Sequence, residues 1–162
     1  EMGESLDAVK KKRLIKSGEI YLTTLASNLL DFFKKCRKLE DGTDRVVLSI
    51  PPFLAPVKCA VLPLMKKDGL PEKALEIMNK LRFNHNCISE EKDSIGKRYR
   101  RQDAIGTPYC ITVDHQTLED NTVTIRDRDT MKQDRIPVDQ VEKILDEKVS
   151  MSLQLQRLAQ MS

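Results

Sequence analysis

The sequence contains no tryptophan, and only 4% of its residues are aromatic. Proteins that bind single-stranded nucleic acid commonly stack bases on aromatic side chains. The scarcity of aromatic residues argues against aromatic stacking as the main mode of binding. The net charge is only +3, so total charge does not by itself indicate a nucleic-acid partner. Any such partner has to be argued from where the positive residues lie.

Long apolar runs and paired cysteine motifs are also missing. No run approaches the ~18 apolar residues of a membrane-spanning helix, so no membrane association is predicted. The N-terminal residues are charged throughout, and we expect no signal peptide. No cysteine pair has the CxxC spacing typical of metal sites, so the cysteines do not predict a bound metal. The pattern predicts reduced thiols and a cytoplasmic protein. The four cysteines are Cys36, Cys59, Cys87 and Cys110.

Catalytic motifs are absent as well. The sequence has no GxSxG, HExxH or P-loop, and Gly96-Lys97 lacks the glycine and strand that a P-loop needs upstream. Only two histidines occur, His85 and His115, and the spacing indicates no nucleophile beside either. We therefore predict no catalytic residue, no bound cofactor and no metal site in this chain.

The first 43 residues differ in pattern from the rest. A lysine-rich run at residues 10–13 precedes a segment, Ser17–Lys38, whose apolar residues recur every three or four positions. This spacing predicts an amphipathic helix. Its apolar face could pack on the domain's own core, on a second copy or on another domain. We predict an N-terminal helical segment over 1–43 and a separate domain over 44–162. The apolar positions are Leu22, Leu25, Leu29, Phe32, Phe33 and Cys36.

Strands and helices alternate after residue 44. The run Pro56–Leu64 is apolar on both faces, which predicts a strand buried on both sides, as in a parallel sheet. Pro71 fits the first turn of a helix, and Gly106 fits the end of a basic helix over 94–104. The order β-α-β-α-β-β-β-α predicts a three-layer α/β domain with a mixed sheet that ends in an antiparallel hairpin and a C-terminal helix.

Two basic elements are candidate binding surfaces. In the basic helix, Lys97, Arg98 and Arg101 lie within about two turns. In the hairpin, Arg126 and Arg128 share a strand face with threonines, while the alternate Val/Ile face packs into the core. Arginine suits bidentate contacts with phosphates and base edges. A solvated basic surface with no ligand is the alternative, and charge alone does not exclude it.

Three long motifs resemble a known family. They are IPPFLAPVKCAVLPLMKKDGLPEKA, SIGKRYRRQDAIGTPYCITVD and LEDNTVTIRDRDTMKQDRI. In this order they closely resemble the C-terminal anticodon-binding domain of glycyl-tRNA synthetases, particularly the dimeric bacterial type, from about Asp44 to about Val149. The resemblance implies a mixed five-stranded sheet with helices on both sides. It also implies binding to the anticodon stem-loop of glycine tRNA, within a homodimeric full-length parent.

The resemblance also implies roles for two residues. Arg126 matches the arginine of a V-x-V-R strand that reads an anticodon base in related class II synthetases. Glu119 is the weaker candidate for an accompanying acid. Lys97, Arg98 and Arg101 are expected to contact phosphates or the stem because of their charge, and not because of the resemblance. Arg128 joins this set because it shares the strand face of Arg126.

The chain departs from the family where catalysis would lie. Class II synthetases bind ATP and magnesium through three motifs, and the third should lie shortly before LEDGT. Residues 1–38 do not show its Gly-x-x-Arg pattern. We expect this chain to be inactive alone, with ATP and magnesium belonging to the parent enzyme. The alternative is an accessory or processivity subunit of a DNA polymerase, since that of mitochondrial DNA polymerase resembles the same region.

Overall fold

The computed structural model describes residues 34–38 and 44–160. The chain divides into two compact units, Glu1–Lys34 and Lys35–Ser162, and apart from Lys34 all the described residues belong to the second. Two short strands come first: β1 (Lys34–Lys38) pairs with β2 (Asp44–Leu48) in a two-stranded sheet. The predicted boundary between residues 43 and 44 stays a prediction.

The predicted N-terminal helix is wrong at its C-terminal end. Lys34–Lys38 forms strand β1, because pairing with the valine-containing strand β2 overrides the local helical spacing. The remainder of that predicted helix, residues 17–33, lies outside the described residues. Strand β2 follows directly after the sequence LEDGT.

A five-stranded mixed sheet forms the centre of the second unit, as predicted. Its order is β4-β3-β5-β6-β7. β3, β4 and β5 are parallel, and β5, β6 and β7 are antiparallel to one another in turn. All five residues of β3 are buried, which confirms the prediction of a strand covered on both faces. The strands are β3 (Cys59–Pro63), β4 (Cys87–Ser89), β5 (Tyr109–Val113), β6 (Thr122–Asp127) and β7 (Gln133–Pro137).

Five α-helices accompany the strands in the described part of the chain. They are α1 (Leu70–Leu81), α2 (Ile95–Ile105), α3 (His115–Asp120), α4 (Val141–Val149) and α5 (Met151–Gln160). Pro71 lies in the first turn of α1, as predicted. Gly106 ends α2 in the left-handed conformation, with φ +86°. The predicted single C-terminal helix is wrong: Ser150, in extended conformation, separates α4 from α5.

The sequence interpretation missed α3. This short helix begins with a capping box, in which the Asp114 carboxylate accepts from the Thr117 backbone and the Thr117 hydroxyl accepts from the Asp114 backbone. An acidic residue followed by threonine three positions later was the available signal. The helix turns the chain from the end of β5 into β6, which fixes where the antiparallel hairpin starts.

The helices cover the two sheet faces unequally. On the first face, α1 and α4 enclose the main core, which includes Val61, Ile111 and Val123. On the second face, α2 covers a smaller cluster of Ala60, Leu62 and Cys110. The hairpin of β6 and β7 reaches beyond that cluster. Its polar side chains on the second face form the candidate site.

Candidate nucleic-acid interface

Arg126 lies on the second face of the sheet, but its side chain is buried. Only 2% of the residue is exposed. Its Nη1 and Nη2 donate to the two oxygens of Asp103 at 2.9 and 3.2 Å, and its guanidinium lies 4.9 Å from the centre of the Tyr99 ring. The expectation that this Arg/Thr strand face is open to a partner is therefore wrong at Arg126. Its role in reading a base stays a prediction, because that role was inferred from the resemblance.

Asp103 holds a second arginine from strand β2. Arg45 Nε lies 2.6 Å from Asp103 Oδ2, and the Asp103 side chain is completely buried. Burial lowers the pKa of Arg45, and the Asp103 carboxylate opposes that shift. Two buried arginines thus share one carboxylate, so the cluster depends on the Asp103 charge. Sequence reasoning missed both residues, because β2, α2 and β6 meet only in the fold.

Arg128 is also buried, at 1% exposure. Its Nη1 donates to the Gly106 carbonyl and its Nη2 to the Ile50 carbonyl, each at 2.8 Å. It also pairs with Asp129, at 2.6 Å. These contacts tie the end of α2 to the segment after β2. The expectation of an open strand face is wrong at Arg128 as well, because its guanidinium is hydrogen-bonded to these backbone carbonyls.

The basic helix α2 presents its positive residues in different ways. Arg98 is buried and donates to the carbonyls of Pro63, Leu64 and Glu90, at the carboxyl ends of β3 and β4. Burial lowers the pKa of Arg98. The basic face of α2 is therefore only partly solvated, because Arg98 makes buried structural contacts.

Arg101 is part of an exposed ion-pair network. Its Nη2 lies 2.6 Å from Glu90, and its Nη1 lies 2.8 Å from Asp93. A phosphate would have to compete with both carboxylates for this guanidinium. Lys97 and Arg100 are the exposed cations of α2, and neither forms a hydrogen bond or ion pair with another described residue. Arg100 was not among the predicted site residues, although it lies in the same basic run.

The hairpin has an uncovered polar surface on the second face of the sheet. We define the hairpin face as Thr122, Thr124, Gln133 and Arg135. Register pairs Thr124 with Arg135 and Arg126 with Gln133, so these side chains project to the same side. Gln133 is exposed and the other three are half-buried. This surface borders the buried Arg126 and remains accessible among the described residues.

Arg135 is the most extensively bonded residue of the hairpin face. Its Nη1 and Nη2 donate to the two Asp114 oxygens at 2.6 and 2.9 Å. Its other donors bond the Thr122 hydroxyl, the Thr122 carbonyl and the Thr124 hydroxyl. The bonded guanidinium holds the pKa of Asp114 below its ordinary value, and Asp114 raises that of Arg135. Strand alternation in QDRIP was the sequence signal that could have placed Arg135 on this face. Its pairing with Asp114 had no such signal, because Asp114 is distant in sequence.

The remaining predicted candidates lie at the edge of this region. Glu119 is exposed on α3, one residue before Asp120, whose carboxylate lies 3.9 Å from Arg135. His115 Nε2 lies 3.1 Å from Asp68, so Asp114 and His115 have different partners. Within residues 34–38 and 44–160, no group of three or more His, Cys, Asp or Glu side chains could hold a metal ion. No helix in that part of the chain has the length and apolar character to span a bilayer.

The described residues present a polar hairpin face beside a basic helix. The model of the anticodon binding domain family matches residues 58–148. The chain belongs to this anticodon-binding domain family. The predicted family and fold are thereby confirmed, and the class is that of an aminoacyl-tRNA synthetase domain.

Similarity to particular synthetases narrows this class. The chain is 54% identical to the glycine–tRNA ligase of Clostridium acetobutylicum over 121 residues, which cover 75% of this chain and 26% of that protein. It is 56% identical to the glycine–tRNA ligase of Rhodopirellula baltica over 97 residues, or 60% of this chain and 18% of that protein. The chain thus spans about a quarter or less of these curated relatives.

Two solved structures show the same fold at low sequence identity. Prolyl-tRNA synthetase of Cryptosporidium parvum superposes with a TM-score of 0.57 and 21% identity, over 70% of this chain and 25% of that one. The RNA binding domain of threonyl-tRNA synthetase from Cryptosporidium parvum Iowa II gives a TM-score of 0.56 and 22% identity, over 62% and 25%. None of these relatives supports the alternative of a polymerase accessory subunit.

Proposed function

We propose that this chain binds the anticodon stem-loop of glycine tRNA as the anticodon-binding module of a glycine–tRNA ligase. The observation that carries the proposal is the uncovered hairpin face beside the exposed cations of α2, in a chain of the anticodon-binding domain family. The glycine specificity rests on the identity of about 54% with a glycine–tRNA ligase. The parent enzyme works in the cytoplasm as a homodimer and uses ATP and magnesium.

Two parts of the surface have different tasks in this proposal. Lys97 and Arg100 are exposed and have no ion-pair partner among the described residues, so they can attract phosphates without first breaking such a pair. The hairpin face contributes hydroxyl, amide and guanidinium groups that can contact bases. Phosphate contacts position the RNA, and base contacts supply the sequence preference.

Arg126 can take part in this function only if it becomes accessible to the RNA. Asp103 occupies one donor on each of its terminal nitrogens, and the residue is almost fully buried. Reading a base through Arg126 therefore requires a local opening that exposes its remaining donors. Replacing Arg126 by alanine should weaken binding by about 1–3 kcal/mol and blunt discrimination at one anticodon position. Glu119 remains a candidate on the neighbouring helix α3.

Direct binding measurements test the proposal. The 162-residue chain is titrated against a fluorescently labelled glycine anticodon stem-loop, and against one of identical stem with a wholly changed anticodon, at several salt concentrations. We expect the cognate loop to bind more tightly and both affinities to fall as salt rises, because bound phosphates release counterions. Equal affinity for the two loops would refute anticodon recognition.

Two further assays separate the other functions. A competition between DNA duplex and the glycine stem-loop tests the polymerase-subunit alternative, which requires the duplex to win. ATP–pyrophosphate exchange with glycine tests catalysis. We expect no exchange by this chain alone, since it lacks the class II motifs, and measurable exchange would show that it carries a catalytic site.

A further inference from the structure

The N–H groups of Arg135 are all occupied. Its five donors meet five acceptors: both Asp114 oxygens, both threonine hydroxyls of the hairpin face and the Thr122 carbonyl. A guanidinium has five N–H donors and no acceptor. Arg135 therefore has no unbonded donor with which to bind a phosphate or a base edge while this network is intact.

The Arg135 side chain is nevertheless 27% exposed. Because the N–H donors at its edge are used, the surface that remains for a ligand is the flat face of the guanidinium and its methylene stem. Asp114 also neutralises its charge at 2.6 Å, which weakens any attraction to phosphate. A planar, rigidly held group with little net charge is suited to stacking on the flat face of a base.

The two tyrosines of the described residues, and Phe83, do not offer a competing platform on the hairpin face. The Tyr99 ring already carries the Arg126 guanidinium, and its hydroxyl bonds Thr112. Phe83 is 85% exposed, but it follows α1, which packs on the opposite face of the sheet. Tyr109 is buried within the core on that opposite face. Arg135 is thus the planar group that the described part of this surface makes available.

From these contacts we propose that the flat face of the Arg135 guanidinium, locked by Asp114, Thr122 and Thr124, is the stacking platform for one unpaired base of the RNA loop. The inference rests on the proposed function and deepens it, because it names the chemical contact. Gln133 lies two residues away on the same face and is exposed, so its amide can meet the edge of a base held there. The ligand class is a single-stranded nucleobase.

Loops with abasic sites separate stacking from a merely structural role. The chain and its Arg135→Lys variant are each titrated with the glycine stem-loop and with stem-loops that carry one abasic nucleotide, moved through the loop. Lysine keeps the charge and loses the plane. We expect the variant to bind the intact loop roughly 5- to 150-fold more weakly, the range for one stacked base. When the abasic nucleotide replaces the base that stacks on Arg135, the variant and the unsubstituted chain should bind with equal affinity.

An Arg82→Lys variant is the matched control. Arg82 is exposed at the end of α1, and the same substitution there should leave every affinity unchanged. If the loss at Arg135→Lys persists at every abasic position, the residue acts only on structure and the stacking proposal is wrong. If the parent chain binds no stem-loop at all, the proposed function fails and the stacking proposal fails with it.

A spectroscopic measurement gives an independent readout without a substitution. A base stacked on a guanidinium shifts the side-chain proton resonances of that arginine upfield through its ring current. We expect this shift at Arg135 when the intact stem-loop is added, and its absence with the abasic loop that equalised the affinities. Binding of the intact loop without an upfield shift at Arg135 would overturn the proposal and leave the proposed function standing.

Discussion

Asp103 contacts Arg126 through both carboxylate oxygens, at 2.9 and 3.2 Å, in a place where neither side chain is exposed to solvent by more than 3%. The same carboxylate lies 2.6 Å from Arg45. A helix residue therefore controls the position of an arginine on a strand 23 positions later in the sequence.

Replacing Asp103 by asparagine should destabilise the fold strongly. The change leaves two buried arginines without a counter-charge, and breaking a buried pair in this way costs about 3–5 kcal/mol. The free energy of unfolding in urea measures the effect. Asp93→Asn is the control, because Asp93 pairs with an exposed arginine, and it should be close to neutral. Similar stabilities for the two variants would contradict the role of Asp103.

The replacement Arg128→Ala should also destabilise the protein. It leaves the Ile50 and Gly106 carbonyls without their guanidinium partner, and each unpaired buried acceptor costs about 1–3 kcal/mol. Urea unfolding should show a loss of about 2–6 kcal/mol from those two acceptors. Arg82→Ala, at an exposed site, should stay within about 0.5 kcal/mol of the parent. A near-neutral Arg128→Ala would show that the carbonyls find other partners.

Two glycines of the α2 region should respond in opposite directions to alanine. At Gly106, φ is +86°, and an added Cβ would lie 3.2 Å from both the Leu48 carbonyl oxygen and Ile50 Cδ1. The left-handed conformation alone costs about 1–2 kcal/mol for alanine. At Gly96 no atom lies within 4 Å of an added Cβ. Alanine there should stabilise the helix by about 0.5–1 kcal/mol.

Thermal unfolding of the two glycine variants, at one pH and one salt concentration, makes the comparison. The midpoint should fall for Gly106→Ala and rise for Gly96→Ala. A rise in the midpoint at Gly106 would mean that α2 does not end there in the left-handed conformation.

Acid should weaken the contact between Asp114 and Arg135. The arginine lowers the pKa of Asp114 below its ordinary value of 3.8, so the folded state binds this proton less readily than the unfolded state. The stabilisation is complete above pH 3.8 and is lost as the pH falls through the lower, folded-state pKa. Asp114→Asn should therefore destabilise the protein at pH 7, with a difference from the parent that narrows in acid.

Urea unfolding of the parent and of Asp114→Asn at pH 7, 5 and about 3 tests this expectation. Asp68→Asn serves as a control, because Asp68 pairs with His115 on the surface and lies outside the Arg135 network. A difference between parent and Asp114→Asn that is the same at all three pH values would show that the Asp114 charge contributes nothing to stability.

The exposed cations of α2 should govern the salt dependence of RNA binding. Lys97→Ala and Arg100→Ala should each weaken binding to all loop sequences alike and reduce the slope of log affinity against log salt by about 1. Lys143→Ala is the control, since Lys143 is exposed on α4, which packs on the opposite face of the sheet. Unchanged slopes at both α2 positions would place the phosphates elsewhere.

The fold was largely predictable because its signals are local. Apolar residues on both faces of β3, Pro71 at the start of α1 and Gly106 at the end of α2 each predict one element, and their order predicts the mixed sheet. The strand at Lys34–Lys38 was not predictable in this way. Its pairing with β2 is a tertiary interaction that the helical spacing of the neighbouring residues conceals.

The candidate site was less predictable for a related reason. Strand alternation correctly placed Arg126 on the other face of β6 from Val123 and Ile125. It could not show that α2 buries this arginine with Asp103. Arginines in a run look equivalent in a sequence, yet Arg98 is buried and Arg100 is exposed. Their difference depends on which side of α2 meets the sheet. Arg135 was missed because its partner, Asp114, follows a different strand.

The contact between Arg128 and the Ile50 carbonyl spans 78 positions of the chain, and it sets a limit on how far the domain can be trimmed. The family match begins at residue 58, after both Arg45 and Ile50. A fragment cut at that point would keep Asp103 and Arg128 but lose a partner of each. The autonomous folding unit therefore begins upstream of the family match, and a fragment for expression should retain strand β2.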